Sequence, residues 1–114
     1  MRLLVTIAAA VTVGVLASGG TSSAAIKRLT ATDGPGFTIT MSAKTVKPVR
    51  YVITVHDRSA IHNFHLIGPG LNKKTSVSFS GEKTWTIKLK PGKYTYQCDV
   101  HLAQGMKGTF KVTK

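Results

Sequence analysis

The chain has 114 residues, of which 16 are Lys or Arg and 4 are Asp or Glu, so its formal net charge is +12. This length allows one domain, and a hydrophobic content of 42% with 18% charged residues excludes a disordered polycation. The single cysteine excludes a scaffold held by intrachain disulfides.

The first 25 residues have the pattern of a secretory signal peptide. A positive start at Arg2 precedes an apolar run over residues 3–17, and small residues then lead to a cleavage site after Ala24 or Ala25. A membrane-spanning helix needs about 20 apolar residues, so an uncleaved anchor is the less favoured alternative. We therefore expect a mature domain, residues 26–114, that is exported to the periplasm, cell envelope or extracellular space without stable membrane insertion.

Five segments of the mature chain alternate apolar and polar residues, which is typical of half-buried strands. They are residues 37–43, 50–56, 84–90, 93–98 and 108–113. Glycine and proline residues between the segments mark turns. About seven to eight short strands at this spacing predict an all-β, antiparallel Greek-key sandwich or barrel.

The apolar face of each predicted strand is expected to form the core. In the first strand this face carries Phe37, Ile39 and Met41, and in the strand over residues 93–98 it ends in Cys98. A buried cysteine at a strand end is often inert packing, so a functional role for this thiol depends on the residues that follow it.

Those residues supply further metal-binding groups. Cys98, His101 and Met106 follow the spacing C-x2-H-x4-M on one short loop. Thiolate, thioether and imidazole together favour copper, and two histidines and a cysteine with a weak axial methionine form an electron-transfer site. The second histidine is His62 or His65, because side chains three residues apart on a strand point to opposite faces and only one reaches the site.

The sequence resembles the cupredoxins, closest to small type 1 (blue) copper proteins of the plastocyanin and pseudoazurin kind. The similarity lies in the C-x2-H-x4-M loop, in Tyr-x-Tyr-x-Cys before it, in Lys-Gly-Thr-Phe-Lys-Val after it, and in the His62-Asn63 dipeptide. It spans most of residues 37–114. Asp99-Val100 stands where plastocyanins tend to have a proline before the second histidine, a departure that affects loop detail and redox potential but not ligand identity.

The resemblance implies a cupredoxin-like fold and one type 1 copper ion. The implied ligands are His62, Cys98, His101 and Met106. It also implies that Asn63 hydrogen-bonds around the cysteine and that His65 is not a ligand.

The predicted function is one-electron transfer by a monomeric protein that is not an enzyme and has no small-molecule substrate. The alternative is copper buffering, delivery or resistance, which a closed four-ligand set with a buried thiolate disfavours. A third possibility is a hydrolase or transferase with Cys98 as nucleophile and His101 as its base, but this function would leave Met106 without a role. Zinc also binds cysteine and histidine well and would be an adventitious occupant.

Loss of Arg2 with the signal lowers the formal charge from +12 to +11. Such a charge predicts redox partners with acidic docking surfaces and salt-dependent association. Nucleic acid is not an expected partner, because the chain is exported and lacks a nucleic-acid motif. Electrons are expected to pass through the His101 ring, framed by Leu102, Pro69 and Leu71.

Overall fold

The computed structural model of the chain describes residue 14 and residues 26–114. Apart from Gly14, the predicted signal peptide over residues 1–25 lies outside the described residues. No helix among the described residues is long and apolar enough to cross a membrane. Their regular structure is nine strands and one short 3-10 helix at Leu102–Gln104: β1 Lys27–Asp33, β2 Ile39–Met41, β3 Thr45–Val46, β4 Arg50–Asp57, β5 His65–Gly68, β6 Leu71–Lys74, β7 Gly81–Lys88, β8 Gly92–Gln97 and β9 Lys107–Val112.

The strands form two sheets, with orders β2-β1-β4-β7 and β3-β9-β8-β5-β6. The predicted all-β sandwich is therefore confirmed, with nine strands across residues 26–114 where seven to eight were predicted. Most strand pairs are antiparallel as expected, but both sheets are mixed, because β1 pairs with β4 and β3 pairs with β9 in parallel.

Strand β1 was not predicted from the sequence. Its inward residues are Leu29 and Ala31, which are 5% and 0% exposed, and the strand pairs with β4 over all seven residues. Alanine and lysine are poor strand formers, so the local pattern is weak and the pairing with β4 decides the conformation.

Phe37 was predicted to lie in the core and is 57% exposed. The glycine- and proline-rich segment after Asp33 extends the β1–β2 connection through Thr38, so the strand begins only at Ile39. Ile39 and Met41 pack against the core as predicted.

The core lies between the two sheets, and its members among the described residues lie within 29–112. Tyr94 stacks on Phe110 with ring centroids 5.0 Å apart, and the inward face of β8 continues to Cys98, which is 0% exposed as predicted. Both sheets and the core of the described residues lie within residues 26–114.

The direction of each strand determines at which end of the sandwich each connection lies. The connections β1–β2, β4–β5, β6–β7 and β8–β9 lie at one end, which we call the site end, and β2–β3, β3–β4, β5–β6 and β7–β8 lie at the opposite end. Pro69 lies in the β5–β6 turn and Leu71 begins β6, and Pro69 lies against Gly92 at the start of β8. The expectation that they frame His101 was therefore wrong, since this turn is at the far end of the sheet from residues 98–106.

Two carboxyl groups are buried side by side at the site end. Asp33 and Asp57 are opposite each other in the β1/β4 register and are 0% and 2% exposed. Both oxygens of Asp33 and Oδ2 of Asp57 have no hydrogen-bond donor among the described residues. Burial, followed by the hydrogen bond to Asp57 and repulsion from its charge, raises the pKa of Asp33 from 3.8 to about 7.

This pair predicts an unusual pH dependence of stability. Because the pKa of Asp33 is higher in the folded state than in the unfolded state, folding is favoured at low pH and loses stability as pH rises from 3.8 to about 7. Asp33→Asn is expected to raise the free energy of unfolding of the metal-free protein at pH 8 by about 2 kcal/mol and to flatten this dependence.

Urea unfolding from pH 4 to pH 8 measures the effect. Glu82→Gln is the control, since this carboxylate is at the same end but 67% exposed. The prediction fails if Asp33→Asn and the unchanged protein lose stability in parallel as pH rises.

Candidate metal centre

Two connections at the site end carry the candidate metal ligands. His62 lies between β4 and β5, whereas Cys98, His101 and Met106 lie between β8 and β9. The second loop is closed by its own backbone, because the Cys98 N–H donates to the Met106 carbonyl at 3.0 Å and the Met106 N–H donates to the His101 carbonyl at 3.3 Å. Gly105, with φ of 84°, takes the left-handed conformation that reverses the chain after the 3-10 helix.

Three donor atoms from these loops converge on one point. The Nδ1 atoms of His62 and His101 are 2.8 Å apart, and Cys98 Sγ lies 3.8 Å from the first and 3.5 Å from the second. His62, Cys98 and Met106 are at most 1% exposed, whereas His101 is partly exposed. The arrangement is a closed pocket with one ring edge at the surface.

The chemistry of these groups fits copper. A thiolate and two imidazoles within 4.8 Å of one another, with a thioether buried in the same loop, form the donor set of a type 1 site. His65, the alternative second histidine, lies outside this group.

Comparison with known proteins agrees with this geometry. The sequence profile of copper binding proteins of the plastocyanin/azurin family matches residues 25–113. The chain belongs to the plastocyanin/azurin family of copper-binding proteins. It is a blue copper protein, a cupredoxin, and its cofactor is copper.

Solved structures of cupredoxins share the fold. The chain is similar to auracyanin from Roseiflexus castenholzii, with a TM-score of 0.55 and 20% identity over 80% of this chain and 99% of that one. Rusticyanin from Thiobacillus ferrooxidans has a TM-score of 0.56 and 20% identity over 75% and 76% of the two chains. Pseudoazurin from Methylobacterium extorquens has a TM-score of 0.54 and 23% identity over 77% and 76%. No curated protein sequence matches the chain.

In this cupredoxin, Asn63 links the two ligand loops. Its side-chain oxygen accepts from the Asp99 N–H at 2.8 Å, while its amide nitrogen donates to Asp99 Oδ2 at 2.9 Å and to the Thr75 carbonyl at 3.3 Å. Asn63 therefore fixes His62 on one loop against Cys98 on the other.

Asp99 extends this link, and its role was not predicted from the sequence. Besides Asn63, its carboxylate accepts from Gln97 Nε2 at 2.9 Å and lies 2.8 Å from His65 Nδ1. His65 Nε2 in turn contacts Asn72 Oδ1. His65 thus supports the ligand loop through Asp99 without joining the metal-binding group.

Hydrogen bonds control the ionisation of Asp99. Partial burial alone would raise its pKa, but donation from Gln97, Asn63 and His65, with attraction to His65, outweighs burial and lowers the pKa from 3.8 to about 2.

Phe37 is a second functional residue that sequence reasoning missed. Its ring meets His101 edge-on with centroids 4.8 Å apart and meets His62 at 5.7 Å, so it covers both imidazoles from the β1–β2 connection. The glycines and proline that precede it in the sequence are the signal that it lies on a loop.

The Asp99 network predicts the acid sensitivity of this cupredoxin. Because the folded pKa lies below the unfolded value, the stabilisation by ionised Asp99 is complete above pH 3.8 and is lost as pH falls through about 2. Asp99→Asn is expected to lower the free energy of unfolding of the metal-free protein at pH 6, with a difference that shrinks toward pH 2.

Urea unfolding across this range tests the expectation, with the exposed Glu82→Gln variant as the control. A constant difference between Asp99→Asn and the unchanged protein from pH 6 to pH 2 would show that the carboxylate charge has no part in the effect.

Proposed function

We propose that this cupredoxin is an exported one-electron carrier that cycles copper between Cu(I) and Cu(II) and turns over no substrate. The observation that carries the proposal is the convergence of His62 Nδ1, His101 Nδ1 and Cys98 Sγ within 4.8 Å in a closed pocket. Cys98 as thiolate, His62, His101 and Met106 would hold the copper ion, which when bound would supply a one-electron Cu(I)/Cu(II) couple.

The protein's contribution to electron transfer is a rigid, dry site. Three of the four ligand side chains are at most 1% exposed, so water is excluded and copper release is hindered, which favours a carrier over a copper-handling protein. The hydrogen bonds from Asn63 to Asp99 and Thr75 hold the loops in place. Ligands restrained in this way move little between the two oxidation states.

Electrons enter and leave through the His101 ring. Four apolar side chains on the connections of the site end expose a large fraction of their surface, and Phe37 among them contacts the His101 ring: Phe37 57%, Ile61 58%, Val100 53% and Leu102 39%. We infer that a redox protein docks on this rim and that the positive net charge attracts partners with acidic docking surfaces.

Copper loading of residues 26–114 tests the proposed function. With one equivalent of Cu(II), the protein is expected to show an intense blue charge-transfer band and a small copper hyperfine splitting in its EPR spectrum. Cys98→Ser and His62→Ala are expected to abolish both features. His65→Ala is the matched control and should keep the blue band, since His65 lies three residues away but outside the metal-binding group.

A colourless protein that binds Cu(I) or zinc instead would contradict the carrier function and support copper handling. Loss of the blue band in His65→Ala together with its retention in His62→Ala would reverse the assignment of the second histidine.

The apolar rim predicts the site of electron exchange. Leu102→Ala is expected to slow electron self-exchange between copies of the copper protein about threefold to tenfold, because each copy loses apolar contact area around His101. Val49→Ala is the control, since Val49 is 36% exposed against 39% for Leu102 but lies at the opposite end. NMR line broadening in mixtures of the oxidised and reduced protein gives the rate, and equal slowing in both variants would exclude His101 as the route.

A further inference from the structure

Charge is divided unequally between the two ends of the sandwich. All four acidic residues lie in the half that contains the site end, at positions 33, 57, 82 and 99. Of the fifteen Lys and Arg residues within 26–114, ten lie in the other half. We call these ten the cationic pole: Lys27, Arg28, Lys44, Lys47, Arg50, Lys88, Lys90, Lys93, Lys111 and Lys114.

The cationic pole therefore has a formal charge of +10, whereas five basic and four acidic residues leave the half with the site end at +1. All ten of its side chains are exposed, and within residues 26–114 none of them forms an ion pair. The net charge of the protein is thus concentrated away from the copper site.

The arrangement of these charges opposes folding. Lys93 is directly opposite Lys111 on β8 and β9, and Arg50 is directly opposite Lys88 on β4 and β7. Like charges in register across a sheet destabilise it, and an anionic surface bound to this end would relieve the repulsion.

Apolar side chains are exposed among these charges. Ile26 is 66% exposed and Val49 is 36% exposed. Together with Tyr51 and Val52 they line an open groove of about 510 Å³ that Lys27 and Arg50 flank. Exposed apolar groups ringed by lysine and arginine match the interface of an anionic bilayer, where apolar side chains enter the headgroup region and cations contact phosphates.

The position of this pole argues against a redox protein as its occupant. Strand β4 has eight residues and connects the two ends, which places the pole about 25 Å from the site end. A protein docked on the pole would be too far from His101 to exchange electrons efficiently. Residue 26, which directly precedes β1, also lies at this pole.

We propose that the cationic pole binds anionic phospholipid headgroups and holds the domain on a membrane surface with the copper site facing away from it. Phosphates contact the lysines and arginines, and Ile26 and Val49 enter the interface. Binding of this kind is peripheral and does not require copper, so its test is independent of the proposed electron-carrier function.

Sedimentation with lipid vesicles tests the proposal. Metal-free residues 26–114 are expected to bind vesicles of equal parts phosphatidylglycerol and phosphatidylcholine, to be released by salt, and not to bind pure phosphatidylcholine. The triple variant Lys44→Glu, Lys93→Glu, Lys111→Glu is expected to weaken binding at least about tenfold.

A matched triple variant in the half with the site end shows whether vesicle binding depends on the position of the charges or only on the net charge. Lys73→Glu, Lys74→Glu, Lys107→Glu changes the net charge by the same amount but should weaken binding less than about threefold, because these residues face away from the membrane. Equal losses in the two triples would overturn the proposal in favour of unoriented charge attraction. Circular dichroism and a cooperative unfolding transition verify that each variant is folded.

A double variant distinguishes a lipid surface from an acidic protein as the occupant of the cationic pole. Ile26→Ser with Val49→Ser should weaken vesicle binding but leave binding to polyglutamate unchanged, since only a bilayer takes up the apolar side chains. Binding to polyglutamate without binding to anionic vesicles would overturn the membrane assignment.

The rate of copper reduction tests the orientation of the bound domain. In the copper-loaded protein, soluble ascorbate should reduce the metal at the same rate with and without vesicles, whereas protection of the metal by vesicles would overturn the orientation.

Discussion

The metal centre depends on one cross-link between two loops, the hydrogen bonds of the Asn63 side chain. His62 and Cys98 are 36 residues apart and belong to different connections, so neither loop alone fixes the distance between their donor atoms. Asn63 ties the backbone N–H and carboxylate of Asp99 to the loop that carries His62. Because Asn63 is 2% exposed, water does not compete for these bonds and their loss would leave buried polar groups unpaired.

Asp99 is the partner that the Asn63 side chain binds on the second ligand loop. A proline before the second histidine, as in plastocyanins, would stiffen the loop covalently, whereas here a carboxylate gathers donors from Gln97, Asn63 and His65. The loop is therefore held by charge-assisted hydrogen bonds, which are stronger than neutral ones. Their strength falls when the carboxylate is protonated, which makes the support of the copper ligands sensitive to acid.

The two ends of the sandwich meet different physical demands. The site end must exclude water and present one ring edge, and it does so with a closed pocket, an apolar rim and nearly balanced charge. The opposite end has no such constraint and carries ten exposed cations and an apolar groove that two of them flank. Separation along the strands keeps this charge from perturbing the metal, since interactions between exposed charges are screened beyond about 10 Å.

Local sequence was enough to predict the sandwich and the metal-binding groups, for identifiable reasons. The alternation in β4, β7, β8 and β9 is strong because each strand has one face in the core, so parity alone placed Cys98 inside. Cys98, His101 and Met106 share one short loop, and spacing along the chain is then a good guide to spacing in the structure. The choice of His62 over His65 needed the resemblance to cupredoxins, because parity showed only that one of them reaches the site.

Only the tertiary structure decided what depends on contacts between distant segments. Strand β1 exists because seven residues pair in parallel with β4. Phe37 covers the two histidines because the β1–β2 connection places its ring against both imidazoles. The partners of Asp99 and the burial of Asp33 against Asp57 are likewise set by the packing of loops and strands that are remote in sequence. The division of charge between the two ends follows from the direction of each strand, which cannot be derived from composition or from the local sequence pattern.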